Sequence, residues 1–90
     1  MVCSRFALGA RVITPAALDK LDPDDVSSAL VRHGHGDWGE LCDADRAENA
    51  FSLEHGLRLF SVYRDRHGTK FYVITEADRS VTTVLLPEDY

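Results

Sequence analysis

The spacing of apolar residues along the chain changes once, at Gly56. Before this glycine, apolar residues recur three and four positions apart, which is typical of helices, and after it they alternate with polar residues, which is typical of strands. The pattern predicts an α+β fold in which two to three N-terminal helices pack on a three- to four-stranded antiparallel sheet. A chain of 90 residues has room for one core, so residues 1–90 are expected to form a single domain.

Start and stop signals divide the first half of the chain into helices. Thr14-Pro15 and Asp22-Pro23 each combine an N-cap side chain with proline at the first helical position. Asp43 is expected to be the N-cap of a further helix that stops at Gly56. The predicted helices span about 15–21, 23–33 and 43–55. Residues 11–14, ahead of the first helix, are typical of a short strand or an extended arm.

Three segments after Gly56 are rich in Val, Ile, Phe, Tyr and Thr and alternate in polarity. They are Leu57–Tyr63, Thr69–Glu76 and Ser80–Leu86. Asp65–Gly68 is expected to form the first hairpin turn, and residues 77–79 the second. Pro87 ends the third strand because proline cannot donate a ladder hydrogen bond.

The register of these strands decides which residues face the helices. Pairing Arg64 with Thr69, and Glu76 with Val81, predicts one apolar core face. Its members are Phe60, Val62, Phe71, Val73, Val84 and Leu86. At one end this face becomes polar, with Arg58 opposite Thr75 and Thr82 next across. The other face is mixed and open to a protein partner, the N-terminal strand or a dimer mate, and a slip of one residue would exchange the two faces.

The composition narrows the range of partners. The formal net charge is −5, which argues against a general nucleic-acid coat protein and against binding to anionic membranes. No apolar run approaches the length of a membrane span, and Met1–Phe6 carries no secretory signal, so a cytoplasmic protein is expected. Cys3 and Cys42 lie outside any CxxC motif and are expected to be free thiols in a reducing compartment.

The first candidate site lies in the glycine-rich segment that follows the second helix. His33 could act as a general acid or base there, and Asp37 could orient its ring. The glycines of this segment would let its backbone approach a ligand closely. Alternatively, His33 caps the helix and Asp37 caps a turn beside a buried Trp38, and both roles are then structural.

The second candidate site is the polar end of the sheet, where arginines and hydroxyls are concentrated. Its residues are Arg58, Thr75, Asp78, Arg79, Ser80 and Thr82. Two arginines with several hydroxyls could grip a phosphate or a carboxylate. Alternatively, Asp78 closes its own turn and Arg58 pairs with Glu76 or Asp78, so that the group forms a structural hydrogen-bond network.

The sequence predicts no metal and no cofactor. His33-x-His35-x-Asp37, with Glu40 and Asp43 nearby, contains suitable ligand types but matches no specific metal-binding spacing. A nucleophile elbow of the type G-x-S-x-G is absent from the sequence, and Ser61 has no assigned base.

Several segments together resemble a family of small bacterial proteins that occur on plasmids and other mobile elements. The matching pattern is His33-x-x-Gly36-Asp37-Trp38-Gly39, Asn49, Arg58-x-x-Ser61-x-Tyr63, and Ile74-Thr75-Glu76-Ala77-Asp78-Arg79-Ser80-x-Thr82-Thr83-x-Leu85-Leu86-Pro87-x-x-Tyr90. Phe6-x-Leu8-Gly9 and Thr14-Pro15 also fit, whereas His35 and Cys42 lie outside the pattern. Members are often labelled plasmid-related protein or type I restriction endonuclease subunit M. The second label implies a Rossmann domain that binds adenosylmethionine, and this chain has no motif for one.

The resemblance implies no established activity, but it indicates which residues matter for binding. These are Trp38, Ser61, Tyr63, Thr75, Asp78, Ser80, Thr82 and Thr83. The favoured hypothesis is an accessory protein that acts by binding another protein. The alternative is a small metal-independent ribonuclease, because helices followed by an antiparallel sheet are similar to the barnase and colicin-type arrangement. His33 would then be the base, with Arg58 and Arg79 on the phosphate.

Overall fold

The computed structural model describes residues 4–90, and Cys3, one of the two expected free thiols, lies outside the described residues. Within these residues, three helices and four strands follow one another in the order strand, three helices, three strands. The strands are β1 (Ala10–Ile13), β2 (Leu59–Arg64), β3 (Lys70–Thr75) and β4 (Val81–Leu85). The helices are α1 (Pro15–Lys20), α2 (Pro23–Gly34) and α3 (Asp43–His55), and a short 3-10 turn spans Pro87–Asp89. The predicted α+β class is therefore confirmed.

The helix starts follow the local sequence signals. The Thr14 side chain accepts a hydrogen bond from the Ala17 amide, and the Asp22 side chain accepts one from the Asp24 amide. The prediction of Asp43 as the third N-cap is wrong by one residue. Cys42 has the extended backbone of an N-cap, without a side-chain cap bond, and Asp43 is already helical, where its charge favours the positive end of the helix.

The sheet has the strand order β1-β4-β3-β2 and is mixed rather than wholly antiparallel. The two C-terminal hairpins pair antiparallel as predicted, whereas β1 lies parallel to β4. The outer edge of β2 is covered by the chain after α2, because the Val62 amide donates to the Trp38 carbonyl and the Glu40 amide to the Val62 carbonyl. The opposite edge of the sheet is the side of β1 that faces away from β4.

The predicted register of the first hairpin is wrong by one residue. Arg64 pairs with Lys70 rather than Thr69, and Thr75 lies opposite Leu59 rather than Arg58. The loop is longer because Asp65 lies at its start, where the Asp65 amide donates to the Thr69 carbonyl. The shift reverses every side chain of β2, so Phe60 and Val62 belong to the outer face of the sheet. The register between β3 and β4 agrees with the prediction, as the pairing of Thr75 with Thr82 shows.

The main core lies between the helices and the inner face of the sheet. Its buried members are Ala17, Leu21, Ala29, Tyr63, Phe71, Val73, Val84 and Leu86. A second cluster lies along β2 and contains Trp38, Leu41, Leu59 and Val62. Val62 is therefore buried as predicted, but by the segment that covers the β2 edge rather than by the helices. None of the helices in residues 4–90 combines the length and the apolar composition that crossing a bilayer requires.

Candidate functional site

A row of polar side chains crosses the inner face of the sheet beneath the last turn of α2. The two ring nitrogens of His33 lie 2.5 Å from the Ser61 hydroxyl and 2.9 Å from the Thr75 hydroxyl. The Thr75 hydroxyl lies 2.7 Å from that of Thr82, which donates to the Leu8 carbonyl at 2.7 Å. Because the β2 register places Ser61 on the inner face, the row joins α2, three strands and the N-terminal segment.

The direction of every hydrogen bond in this row follows from its last member. The single proton of Thr82 is used on the Leu8 carbonyl, which can only accept, so Thr75 must donate to Thr82. The Thr75 oxygen then accepts from Nε2 of His33, which fixes the proton of the neutral ring on that nitrogen. Nδ1 consequently accepts from the Ser61 hydroxyl. The protein therefore holds His33 as one defined neutral tautomer.

The surroundings of His33 disfavour its charged form. The side chain is 0% exposed, and the rings of Phe6 and Trp38 meet it edge-on. Burial, together with the smaller effect of the positive charge of Arg79, lowers the pKa of His33 from its ordinary value of 6.5 to about 4. At neutral pH the imidazole is therefore uncharged and acts as a hydrogen-bond bridge.

The pair formed by Ser61 and His33 has the spacing of a nucleophile and its base. Both side chains are 0% exposed, so a substrate atom has no access to either in this conformation. Ser61 donates inward to the ring, and no unpaired buried polar side-chain atom remains among the described residues. The arrangement stabilises the fold by satisfying its buried polar atoms.

Asp37, the expected orienting carboxylate, pairs with Arg32, whereas the ring of His33 contacts Ser61 and Thr75. The Arg32 Nε atom is 2.8 Å from Asp37 Oδ2, and this hydrogen bond lowers the pKa of the Asp37 carboxyl. Arg32 in turn lies over the ring of Tyr63, whose hydroxyl donates to the Asp37 carbonyl. Burial raises the pKa of Tyr63 to about 12. These contacts fix the loop after α2 to the sheet.

The expected arginine clamp is divided between two environments. Arg79 donates to the backbone carbonyls of Leu57, Glu76 and Ala77 at 2.6 to 3.2 Å, and its guanidinium lies over the Phe6 ring. Arg58 is exposed and pairs with Glu76 at 3.3 Å, which is one of the two structural alternatives considered above. Because His33 is fully buried, Arg58 and His33 do not open onto a common cleft.

The remaining candidates also have local partners. Asp78 closes its turn by accepting from the Ser80 amide and hydroxyl, as the structural alternative predicts, and these bonds lower the pKa of the Asp78 carboxyl. Thr83 lies on the outer face, half-buried, beside Val12 of the parallel strand. Within residues 4–90 no three His, Cys, Asp or Glu side chains come together as metal ligands.

Asn49 is a positioning residue whose role the residue pattern did not reveal. Its side-chain amide donates to the Phe60 carbonyl at 2.5 Å and accepts from the Phe60 amide at 3.2 Å, which anchors α3 to β2. The available signal was a polar residue with an apolar residue, Leu53, one turn further along the helix. Predicting the register of β2 correctly would also have required knowledge of the contact between Asn49 and Phe60.

Aromatic side chains form a patch on the outer face of the sheet. The patch consists of Phe60, Tyr72 and Tyr90, whose ring centroids lie 4.8 to 6.5 Å apart. Phe60 and Tyr72 are half-buried, whereas Tyr90 is 73% exposed. A hollow of about 270 Å³ adjoins the patch, and its lining includes Leu41, Lys70 and the carboxylates of Glu40 and Asp45. The outer face therefore presents apolar rings to solvent.

Comparison with known proteins adds no family to this description. No protein-family model, curated protein or solved structure matches the chain.

Proposed function

We propose that the chain is a small cytoplasmic accessory protein, of the plasmid and mobile-element type that it resembles, and that it acts by binding another protein. The observation that carries the proposal is the aromatic patch on the outer face of the sheet. Large aromatic side chains that remain exposed are enriched at protein interfaces, because they bury much apolar area with few rotatable bonds.

The candidate catalytic groups are held by contacts within the protein itself, which supports a binding function over catalysis. His33 and Ser61 are buried in the polar row, and Arg79 is committed to backbone carbonyls. An enzyme that cleaves RNA needs a base and cations that can reach the 2′-hydroxyl and the phosphate. The net charge of −5 also disfavours a polyanionic substrate.

The chemistry of the patch suggests what kind of protein would dock. The hollow beside Phe60 and Tyr72 has room for one apolar side chain, and Lys70 at its rim makes no ion pair within residues 4–90. Glu40 and Asp45 line the same hollow, so its charge is mixed. We therefore infer a partner that presents an apolar anchor to this hollow. Cys42, an exposed free thiol at the same hollow, agrees with a reducing compartment.

The experiment compares the wild type with a patch variant that combines Tyr72→Ala and Tyr90→Ala. Each is immobilised and exposed to extract from the native host, and the retained protein is identified, purified and titrated by calorimetry. The wild type should bind it with one-to-one stoichiometry, the patch variant at least tenfold more weakly, and the control Phe51→Ala, altered at an exposed ring on α3, like the wild type. The proposal fails if the patch variant binds equally well, or if the purified chain cleaves RNA and His33→Gln abolishes the cleavage.

A further inference from the structure

A second apolar surface lies on the side of the molecule opposite to the hollow that adjoins the aromatic patch. A groove of about 260 Å³ runs between β1 and α2, and its lining includes Ile13, Val26 and Leu30. Val12 and Leu18, which are 47% and 66% exposed, line the groove. Val31, which is 55% exposed, lines an adjoining hollow that shares Arg11, Ser27 and Leu30 with the groove. α2 therefore lies over the position next to β1 that a further strand of the sheet would occupy.

The backbone of β1 is prepared for such a strand. The Ala10 amide donates to the Ser80 carbonyl, and the Thr14 amide to the Val84 carbonyl. Alternate residues of a parallel strand point their peptide groups to the same side, so those of Arg11 and Ile13 point away from β4. Within the described chain β1 is the last strand on this side of the sheet, so these two residues offer an unpaired edge.

The charges at the two ends of the groove have opposite signs. Arg11 lines the groove and the adjoining hollow beside Val31, and the Arg5 amide donates to the carbonyl of Gly34, the last residue of α2. Asp24 lies in the first turn of α2, and Asp19 lies in α1 between Leu18 and Leu21, which line the groove. None of these four residues makes an ion pair within residues 4–90. A surface that is positive at one end and negative at the other is complementary to itself when one copy is turned through a two-fold axis.

We propose that the β1 edge and its groove bind a second copy of this chain, through antiparallel pairing of the two β1 strands. The charges select this occupant, because the two-fold arrangement brings Arg11 of each copy to the acidic end of the other. The paired strands would join two four-stranded sheets into one sheet of eight strands. This surface is separate from the aromatic patch, so the inference does not depend on the proposed function.

The outward peptide groups specify the register of this pairing. When Arg11 of one copy lies opposite Ile13 of the other, both outward residues of each strand exchange two backbone hydrogen bonds with the partner strand. A shift towards the C-terminus would bring Pro15 to the pairing edge, where it has no N–H to donate. The chosen register places Val12 on the two-fold axis, directly opposite its own copy. Its exposed side chain would then pack against that of the other copy.

The first experiment measures the molar mass of the purified chain by light scattering and by sedimentation over a range of concentrations. The wild type should be a dimer whose dissociation depends on concentration, and raised salt should weaken it. Val12→Lys places two ammonium groups together on the axis and should give a monomer with unchanged circular dichroism. Phe51→Lys, which adds the same charge at an equally exposed site on α3, should remain a dimer.

The second experiment tests the register directly in a variant that carries Cys3→Ser and Cys42→Ser. Val12→Cys should form a disulfide-linked dimer under mild oxidation, because residues opposite each other in a non-hydrogen-bonded pair have Cα atoms about 4.5 Å apart, within disulfide range. Leu57→Cys, at a comparably exposed position away from β1, should crosslink much more slowly. A wild type that stays monomeric at all concentrations, a Val12→Lys variant that stays dimeric, or equal crosslinking of the two cysteine variants would each overturn the inference. The aromatic patch variant should remain a dimer whatever its partner binding.

Discussion

The Nδ1 atom of His33 lies 2.5 Å from the Oγ atom of Ser61, and neither side chain is exposed to solvent. This contact is the first of four consecutive hydrogen bonds that end at the Leu8 carbonyl. Every donor in the row has one acceptor, so each member determines the orientation of the next. The stability of the fold should therefore respond to the protonation of His33 and to the loss of any hydroxyl in the row.

The first prediction concerns pH. Because the pKa of His33 is about 4 in the folded state and 6.5 ordinarily, the unfolded chain binds more protons between these values, and the free energy of unfolding falls as the pH falls. The contribution is fully present above pH 6.5 and is lost as the pH approaches 4. From these pKa values we expect a loss of about 2 kcal/mol between pH 7.5 and pH 5. Urea denaturation at each pH measures it.

The control for this pH dependence is His33→Gln, which removes the titrating group. The variant should be less stable than the wild type at pH 7.5, but the difference between the two should shrink as the pH falls to 5. If both proteins lose stability in parallel over this range, carboxylates rather than His33 cause the effect.

The second prediction compares two hydroxyls of the row. Ser61→Ala removes one hydrogen bond and leaves Nδ1 of His33 without a donor, at a cost of roughly 1–3 kcal/mol. Thr75→Val removes two bonds and leaves the Nε2 proton of His33 buried without an acceptor, so it should cost more. Chemical denaturation at pH 7.5 gives both values. Equal costs would mean that Thr75 is not the central link of the row.

The helices and the second hairpin could be predicted from the sequence because their signals are local. Thr14-Pro15 and Asp22-Pro23 define helix starts through contacts within four residues, and the short turn at 77–79 leaves one pairing for β3 and β4. The parallel pairing of β1 with β4 joins residues about 70 positions apart, and no local signal specifies such a contact.

The first hairpin shows why the candidate site could not be assembled from the sequence. The sequence after Arg64 is compatible with a hairpin loop of four or of five residues. Asp65 selects the longer loop, because its carboxylate accepts hydrogen bonds from the amides of His67 and Thr69. With the shorter loop, Ser61 is placed on the outer face, away from His33. The contacts of the candidate site residues therefore depend on a register that one side chain decides.

The third prediction tests that register through the core. Phe71 is fully buried between the helices and the sheet, and Phe71→Ala should cost roughly 3–5 kcal/mol. Phe60→Ala should cost clearly less, because the ring lies half-buried on the outer face. Thermal and urea denaturation of the two variants distinguish the registers. Comparable losses would restore Phe60 to the main core.

The fourth prediction concerns the glycine at which the loop after α2 meets β2. Gly39 has a φ of 72°, and a Cβ atom there would collide with the Val62 carbonyl. Gly68 has a similar φ of 81° in open space, so Gly68→Ala should cost only the backbone strain of roughly 1–2 kcal/mol. Gly39→Ala adds the collision and should be much more destabilising. If the two variants unfold at the same urea concentration, the loop does not pack on β2 through Gly39.

The fifth prediction concerns the anchor between α3 and β2. The Asn49 side chain accepts from the Phe60 amide, so this amide should exchange slowly with solvent in the wild type. Asn49→Ala removes that acceptor, and the Phe60 amide should exchange at least tenfold faster, as followed by hydrogen exchange with NMR detection. The Val62 amide is the internal control, since it donates to the Trp38 carbonyl and does not contact Asn49. Faster exchange at both amides would indicate general destabilisation of the β2 edge, whereas an unchanged Phe60 rate would show that Asn49 does not hold α3 against β2.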